Sequence, residues 1–409
     1  MKVCYVVPRY GVEVVGGAEL GARMLAERLV RFLGWEVEVL TTCALDSRTW
    51  SNEYDAGAVE INGVRVNRFL STAGRDPGFE PFSRTLLQDP EGASPADAHR
   101  WIELQGPLNP TLVEAVRNSD ADVIVFYPYL YYPTVAGLPT VESRAVMHPA
   151  AHDEPPLRLP VFRSVFGAAR GLVFQTRSER DLVERLFPVA SGRQLILGLG
   201  VEEMAGDPDV ARQALGVDDH PYLLAVGRVD DGKGTATLAR FFAAYKSRRP
   251  GPLKLVLAGP VVHRPIDHPD IVLAGRIDDA TKWGALRGAA ALIQPSAYEA
   301  FSLVVIEAWT ARVPVVVNAR CLPTKEHCQR SGGGLWFDGY ASFEAVVDRL
   351  LGDGDLWRAL AAAGASYVDS HYRWPTLIER YSYFLRNVAD RASAHPGPAA
   401  TLGGMNVRE

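Results

Sequence analysis

The chain has 409 residues, 47% of them hydrophobic and 22% charged, with a formal net charge of -5. That length exceeds what one hydrophobic core usually organises, so two soluble domains are expected. With a net negative balance and no long basic run, neither nucleic acid nor an anionic membrane surface is a favoured partner, and no segment reaches the length of a transmembrane span.

Residues 2–7 form a short apolar run that reads as a strand, with too little apolar length for a signal peptide. The loop 8–15 leads to Gly16 and Gly17, after which a helical pattern continues to residue 33. Glycines before a helix let the backbone approach a ligand, and the helix start favours negative charge; the same pair also suits a plain tight turn. A second strand follows at 36–41, and 59–69 alternates around Asn62-Gly63, a hairpin signal.

From 71 to 110 the sequence is polar and interrupted by Gly74, Pro77, Gly78, Pro81, Pro90 and Gly92, so it reads as a long loop. A helix at 111–118 and strands at 123–127 and 144–147 come next. The segment HPAAHDEPP, 148–156, then places His148, His152, Asp153 and Glu154 at a strand's carboxyl end. Ligands bind there in open parallel sheets, although an ordinary polar loop fits equally well. Thr176 and Glu179 read as a capping box opening a helix to residue 186, with no chemistry assigned to it.

Residues 195–201, with Gly198 and Gly200, read as the crossing into a second domain, where the pattern restarts. A strand at 222–226 is followed by GRVDDGKG, 227–234, and a helix over 235–248. Arg228 and Lys233 flank glycines between strand end and helix start, a geometry able to hold two phosphates, or else a solvated turn. It is not a Walker loop, which ends in Gly-Lys-Ser/Thr.

Further on, the strand at 291–293 leads through Glu299 into a helix over 302–312 that carries Glu307, and Pro314 closes it before the next strand. Glu307 lies among Leu303, Val304, Val305, Ile306 and Trp309, so its carboxylate needs a partner, either a neighbouring side chain or ligand hydroxyls. Glu299 precedes the free N–H groups of 300–303, a setting for an anion. The four cysteines are scattered and suit a reducing cytoplasm. Cys321, His327 and Cys328 match no standard zinc spacing, and no metal or cofactor is expected. The final helix, 374–387, is long enough to cross back to the first domain, and 393–409 reads as a disordered tail.

Two strand-helix halves, the glycine-rich first loop, GRVDDGKG and PSAYEAFSLVVIEA (295–308) together resemble family 4 of the retaining glycosyltransferases, over residues 2–387. The resemblance implies a GT-B fold, two Rossmann-like doubly wound domains facing across a cleft. Its domains would be 1–197 with 375–392 for the acceptor, and 198–374 for the nucleotide sugar. It makes Glu307 the partner of the ribose hydroxyls and Glu299 the contact to the donor sugar, with Ala300, Phe301, Ser302 and Leu303 near sugar and phosphate. Arg228 and Lys233, beside Gly227, would neutralise the diphosphate. Gly16 and Gly17 would approach it from the first domain, and Arg276 and Ile277 would border the base. His152 is the choice for the histidine near the reacting carbon, with His148 as its competitor.

The expected function is therefore metal-independent transfer of a sugar from a nucleotide diphosphate sugar, the co-substrate, to a hydroxyl of a small-molecule, glycan or lipid-linked acceptor. Acceptor contacts are expected mainly in 71–110. An epimerase or hydrolase of the same fold, or a non-catalytic sugar-nucleotide sensor, are the alternatives. A dinucleotide oxidoreductase lacks its G-x-G-x-x-G after the first strand.

Overall fold

The computed structural model describes residues 1–14, 16–189 and 193–394. In the first half the strands are β1 (Lys2–Val6), β2 (Glu36–Thr42), β3 (Gly57–Ile61), β4 (Val64–Phe69), β5 (Val123–Phe126), β6 (Ala145–Met147), β7 (Gly171–Phe174) and β8 (Gln194–Ile196). They form one sheet in the order β3-β4-β2-β1-β5-β6-β7-β8. In the second half are β9 (Tyr222–Val226), β10 (Lys254–Ala258), β11 (Ile271–Gly275), β12 (Ala291–Gln294), β13 (Val315–Asn318) and β14 (Gly334–Phe337). Their order is β11-β10-β9-β12-β13-β14, with every pair parallel.

Strands covered on both faces read as continuous apolar runs, as β5 (VIVF) and β7 (GLVF) do, both buried along their whole length. Among the named strands of the described residues the antiparallel pair is β3 with β4, joined by Asn62 and Gly63 at φ 51° and 81°, the two left-handed positions of a type I′ turn. In each sheet the order reverses beside a central strand, β1 against β5 and β9 against β12. Crevices open outside the carboxyl ends at such switch points.

Residues 71–110 differ from the expected loop, because they contain the helices Phe79–Leu86 and Pro95–Gln105. The glycines and prolines punctuate helix ends instead of marking irregular chain. Gly78 precedes the first helix, Ser94 caps the second by accepting from Asp97 N, and Pro95 occupies its first turn. Phe79, Ala98, Trp101 and Ile102 are buried in the core, and Trp101 Nε1 donates to Ser83 Oγ at 2.9 Å.

The crossing between halves begins later than expected, since residues 194–196 are the edge strand β8. The outgoing chain meets the returning chain where Val201 N donates to Tyr372 O at 3.1 Å. The last helix, Trp374–Ala394, packs on the first half, where Tyr381 reaches Tyr5 Oη at 3.0 Å. It continues past the expected tail start at 393, and 395–409 lie outside the described residues. One hydrophobic core runs through both halves, from Val125 by way of Leu199, Trp374 and Phe301 to Trp309.

Candidate active site

Beyond the end of β9, the loop 227–234 is organised by Asp230. Its Oδ1 accepts from Lys233 N at 2.7 Å, its carbonyl from Thr235 Oγ1 at 2.9 Å, and its Oδ2 lies 2.9 Å from Arg228 Nε. Gly234 stands at φ 73°, and a Cβ there would lie 2.6 Å from Pro295 O, so this turn presses on the loop after β12. The consequence is that Lys233 Nζ reaches Glu299 Oε1 at 2.6 Å.

After β12 the chain turns through Ser302, at φ 70°, into the helix Leu303–Thr310. The Ser302 side chain does not cap the helix; its Oγ accepts from Gln294 Nε2 at 2.8 Å. The helix start, with no side-chain cap, borders a cavity of about 520 Å³ lined by Gly227, Arg228, Lys233, Glu299, Ser302 and Val304 among others. Partial positive charge from the helix end thus joins two cationic side chains. Phe301, buried, anchors the turn by packing edge-on to His327 and Tyr372 with ring centroids 5.0 and 5.3 Å away.

Glu307 lies one turn further along, on the face shared by Leu303 and Val304. It is 8% exposed, and Lys282 Nζ supplies the partner its burial requires, at 2.8 Å from Oε1. Burial works against the Lys282 ammonium, but Glu307 and then Asp279 outweigh it and raise its pKa. No hydrogen bond to Glu307 Oε2 occurs among the described residues.

The loop after β6 separates the two histidines. His148 is 1% exposed, stacked on Tyr127 at 4.9 Å and bonded through Nε2 to Tyr381 Oη at 2.9 Å. Burial lowers its pKa to about 3. His148 thus ties the last helix to the first sheet and lines neither cavity. His152 lines a second cavity of about 790 Å³, together with Gly17, Lys233, Tyr298, Glu299 and Ala300. Its Nε2 lies 3.2 Å from Glu154 Oε2, and Tyr129 donates to the other oxygen of Glu154 at 2.9 Å. Burial disfavours the His152 imidazolium, yet Glu154, with Glu299 beyond it, more than compensates and raises the pKa.

The loop itself is held by a residue to which the sequence assigned no chemistry. Glu179 does not complete a capping box; its two oxygens accept Ala151 N at 2.8 Å and Gln175 N at 2.6 Å. Burial raises its pKa to about 7 despite those donors. No local signal marks Ala151 as its partner, because 28 residues separate them.

The two glycines also part company. At Gly16 a Cβ would meet the Glu19 carboxylate at 2.2 Å, where Glu19 pairs with buried Arg9, so packing explains it. At Gly17 nothing lies within 4 Å of such a Cβ, and the residue lines the second cavity. Arg276, just past β11, is exposed and lines neither cavity, whereas Ile277 packs against the core that also takes Leu303 and Val304. Asp230, Lys282, Glu154 and Glu179 support the site; the sequence assigns Asp230 and Lys282 no role, marks Glu179 only as a helix cap, and places Glu154 at the strand end without naming its partner. Asp230 carried a readable signal of its own, a short acid inside a glycine turn.

Residues 208–366 match the family model of glycosyl transferases group 1. This segment is similar to group 1 glycosyltransferases. Over 89% of this chain and 92% of the relative, the glycosyltransferase is 28% identical to D-inositol 3-phosphate glycosyltransferase of Frankia alni. In structure it is similar to sucrose-phosphate synthase from Thermosynechococcus elongatus, with a TM-score of 0.70 at 18% identity, covering 95% of this chain and 98% of that one. Alr3699/HepE of Anabaena, solved with UDP and glucose, gives a TM-score of 0.68 at 14% identity, covering 95% and 100%. These likenesses establish the GT-B fold of the glycosyltransferase.

Proposed function

We propose that the glycosyltransferase moves a hexose from a nucleoside diphosphate sugar to a hydroxyl acceptor, with retention of anomeric configuration. The carrying observation is the Lys233–Glu299 contact at the seam of the two cavities, one of which holds Arg228 and the uncapped helix start, the other His152. The diphosphate belongs at Arg228, Lys233 and the helix amides, which meet negative charge as it builds on the departing phosphate. Lys233 exchanges Glu299 for that phosphate, and Glu299 becomes free to accept sugar hydroxyls. Glu307, held by Lys282 through one oxygen, offers the other to the ribose. His152, fixed by Glu154, faces the sugar from the first domain.

In the reaction the bond between anomeric carbon and phosphate oxygen breaks, its electron pair leaving with the diphosphate. The acceptor oxygen attacks the same face, and its proton passes to the departing phosphate oxygen. Two cations and the helix end already supply the charge stabilisation, so the reading is metal-independent, and turnover persists in EDTA. The domains divide as 1–197 with 375–392 for the acceptor and 198–374 for the donor. The Frankia relative's name, and the UDP in the Anabaena structure, support a sugar nucleotide donor and a polyol acceptor. Among the described residues no helix is long and apolar enough to cross a membrane.

A thermal-shift screen with UDP, GDP, dTDP and ADP sugars identifies the donor, since a bound ligand raises the melting temperature. Lys233→Ala and Arg228→Ala then reduce kcat by roughly 10²–10³-fold with the melting temperature retained. Unchanged turnover in both variants refutes the site. Free sugar or an epimer formed at full rate without acceptor refutes transfer.

A further inference from the structure

Arg177 and Arg180 of the helix Arg177–Leu186 line, with Arg330, His371 and Arg380, a cavity of about 800 Å³ that shares no residue with the two site cavities. The walls come from both domains and from the crossing: Gln194 belongs to β8, Arg330 to the helix Leu322–Ser331, and His371 and Arg380 stand on either side of the returning chain. No acidic side chain lines it. Arg180 is paired outside the cavity with Asp181, Arg330 is 3.5 Å from Glu326, and Arg380 donates to Ile196 O at 2.6 Å. The Arg177 side chain makes no hydrogen bond or ion pair among the described residues. Four arginines line one cavity although the whole chain is negative at -5, so general basicity does not account for them.

We propose that this cavity is a binding site for a phosphate group, separate from the donor site. Guanidinium forks match phosphate oxygens in pairs, and a single anion spanning Arg177, Arg330 and Arg380 bridges the two domains and the returning chain. Binding there stabilises the present placement of one domain against the other. Arg177 has no side-chain partner among the described residues and the Arg330 contact to Glu326 is long at 3.5 Å, so both retain donors for an anion, and a phosphate with several acceptor oxygens is the fitting occupant.

The test is thermal unfolding of the full chain with inorganic phosphate or pyrophosphate, ionic strength being held constant with chloride. Pyrophosphate raises the melting temperature by about 2 °C at roughly tenfold over its Kd. The rise persists in Arg228→Ala/Lys233→Ala, which disables the donor site, and disappears when Arg177→Ala/Arg380→Ala is added to that variant. Sedimentation with phosphatidylglycerol vesicles separates the sources. If free anions give no rise but the wild type sediments with vesicles and the Arg177/Arg380 variant does not, the phosphate is a lipid headgroup. A rise that survives in the combined Arg228→Ala/Lys233→Ala/Arg177→Ala/Arg380→Ala variant overturns the site, as does the absence of both responses. Should that variant melt early in chloride alone, Arg177→Gln/Arg380→Gln replaces Arg177→Ala/Arg380→Ala within it in the same comparison.

Discussion

Gly17 and Gly234 both stand at helix starts near the cleft, yet the space around them is opposite. A side chain at Gly234 would be strained by its left-handed backbone and would strike Pro295 O, so Gly234→Ala lowers stability by about 1–3 kcal/mol. At Gly17 a side chain meets open space, and leucine favours a helix over glycine. Gly17→Leu therefore leaves the melting temperature unchanged or slightly raised, while donor affinity, measured by titration calorimetry, falls at least about tenfold. A variant that binds the donor normally shows that the backbone at Gly17 does not approach the ligand. Of the residues singled out in the sequence, those carried by local pattern were legible: Arg228, Lys233 and Glu299 are each placed by a turn. Lys282 was not, because its role comes from a tertiary neighbour, Glu307. Burial separates His148 from His152, and no spacing rule reports burial at two positions four residues apart.

Among the elements, the helix Arg177–Leu186 does more than its capping signal suggested, since Glu179 fastens both its own entry and the His152 loop. That makes the helix start sensitive to protons. Glu179 has its folded pKa raised from 4.5 to about 7, so the folded state holds the extra proton and its stabilising contribution declines as pH rises from 4.5 to 7. His148 and His327 oppose it: burial depresses both to about 3, so their contribution is complete above 6.5 and is lost as pH falls towards 3. Between pH 4.5 and 6.5 two histidines work against one carboxyl, with each proton weighing about 1.4 kcal/mol per pH unit. Glu179→Gln steepens the gain in stability with pH in that window by about one proton, as measured by denaturant unfolding at stepped pH. An identical slope in variant and wild type shows that Glu179 titrates ordinarily. The helices in 79–105 were hidden differently. Their apolar residues do recur at helical spacing, Phe79, Phe82 and Leu86 and then Ala98, Trp101 and Ile102, but each helix is short and bounded by the glycines and prolines that read as loop punctuation.

At the scale of the whole molecule, the two domains are joined in two ways: through the paired crossings near Val201 and Tyr372, and through contacts along the cleft. Among the latter, Glu326 of the second domain accepts from Ser178 N and Ser178 Oγ, both at 2.7 Å, at the start of a first-domain helix. Nearby, Thr176 Oγ1 donates to Ala300 O at 3.3 Å, on the loop that carries Glu299. A carboxylate at a helix N-terminus is favoured by the free N–H groups there, and charge-assisted bonds of this kind contribute about 1–3 kcal/mol. The contact therefore biases the domains towards the closed arrangement in which His152 and Glu299 border one cavity. Glu326→Ala removes it without touching either cavity lining, so the fold of each domain survives while the open arrangement gains population. The free variant then has a larger radius of gyration in solution scattering than the free wild type, and saturating nucleoside diphosphate returns it to the wild-type value. Its apparent donor affinity falls by about 5–100-fold, because binding must supply the closure that Glu326 supplied beforehand. Equal radii and equal affinities would mean that the core running from Leu199 through Trp374 to Phe301 holds the domains by itself, and that the cleft is closed before any ligand arrives.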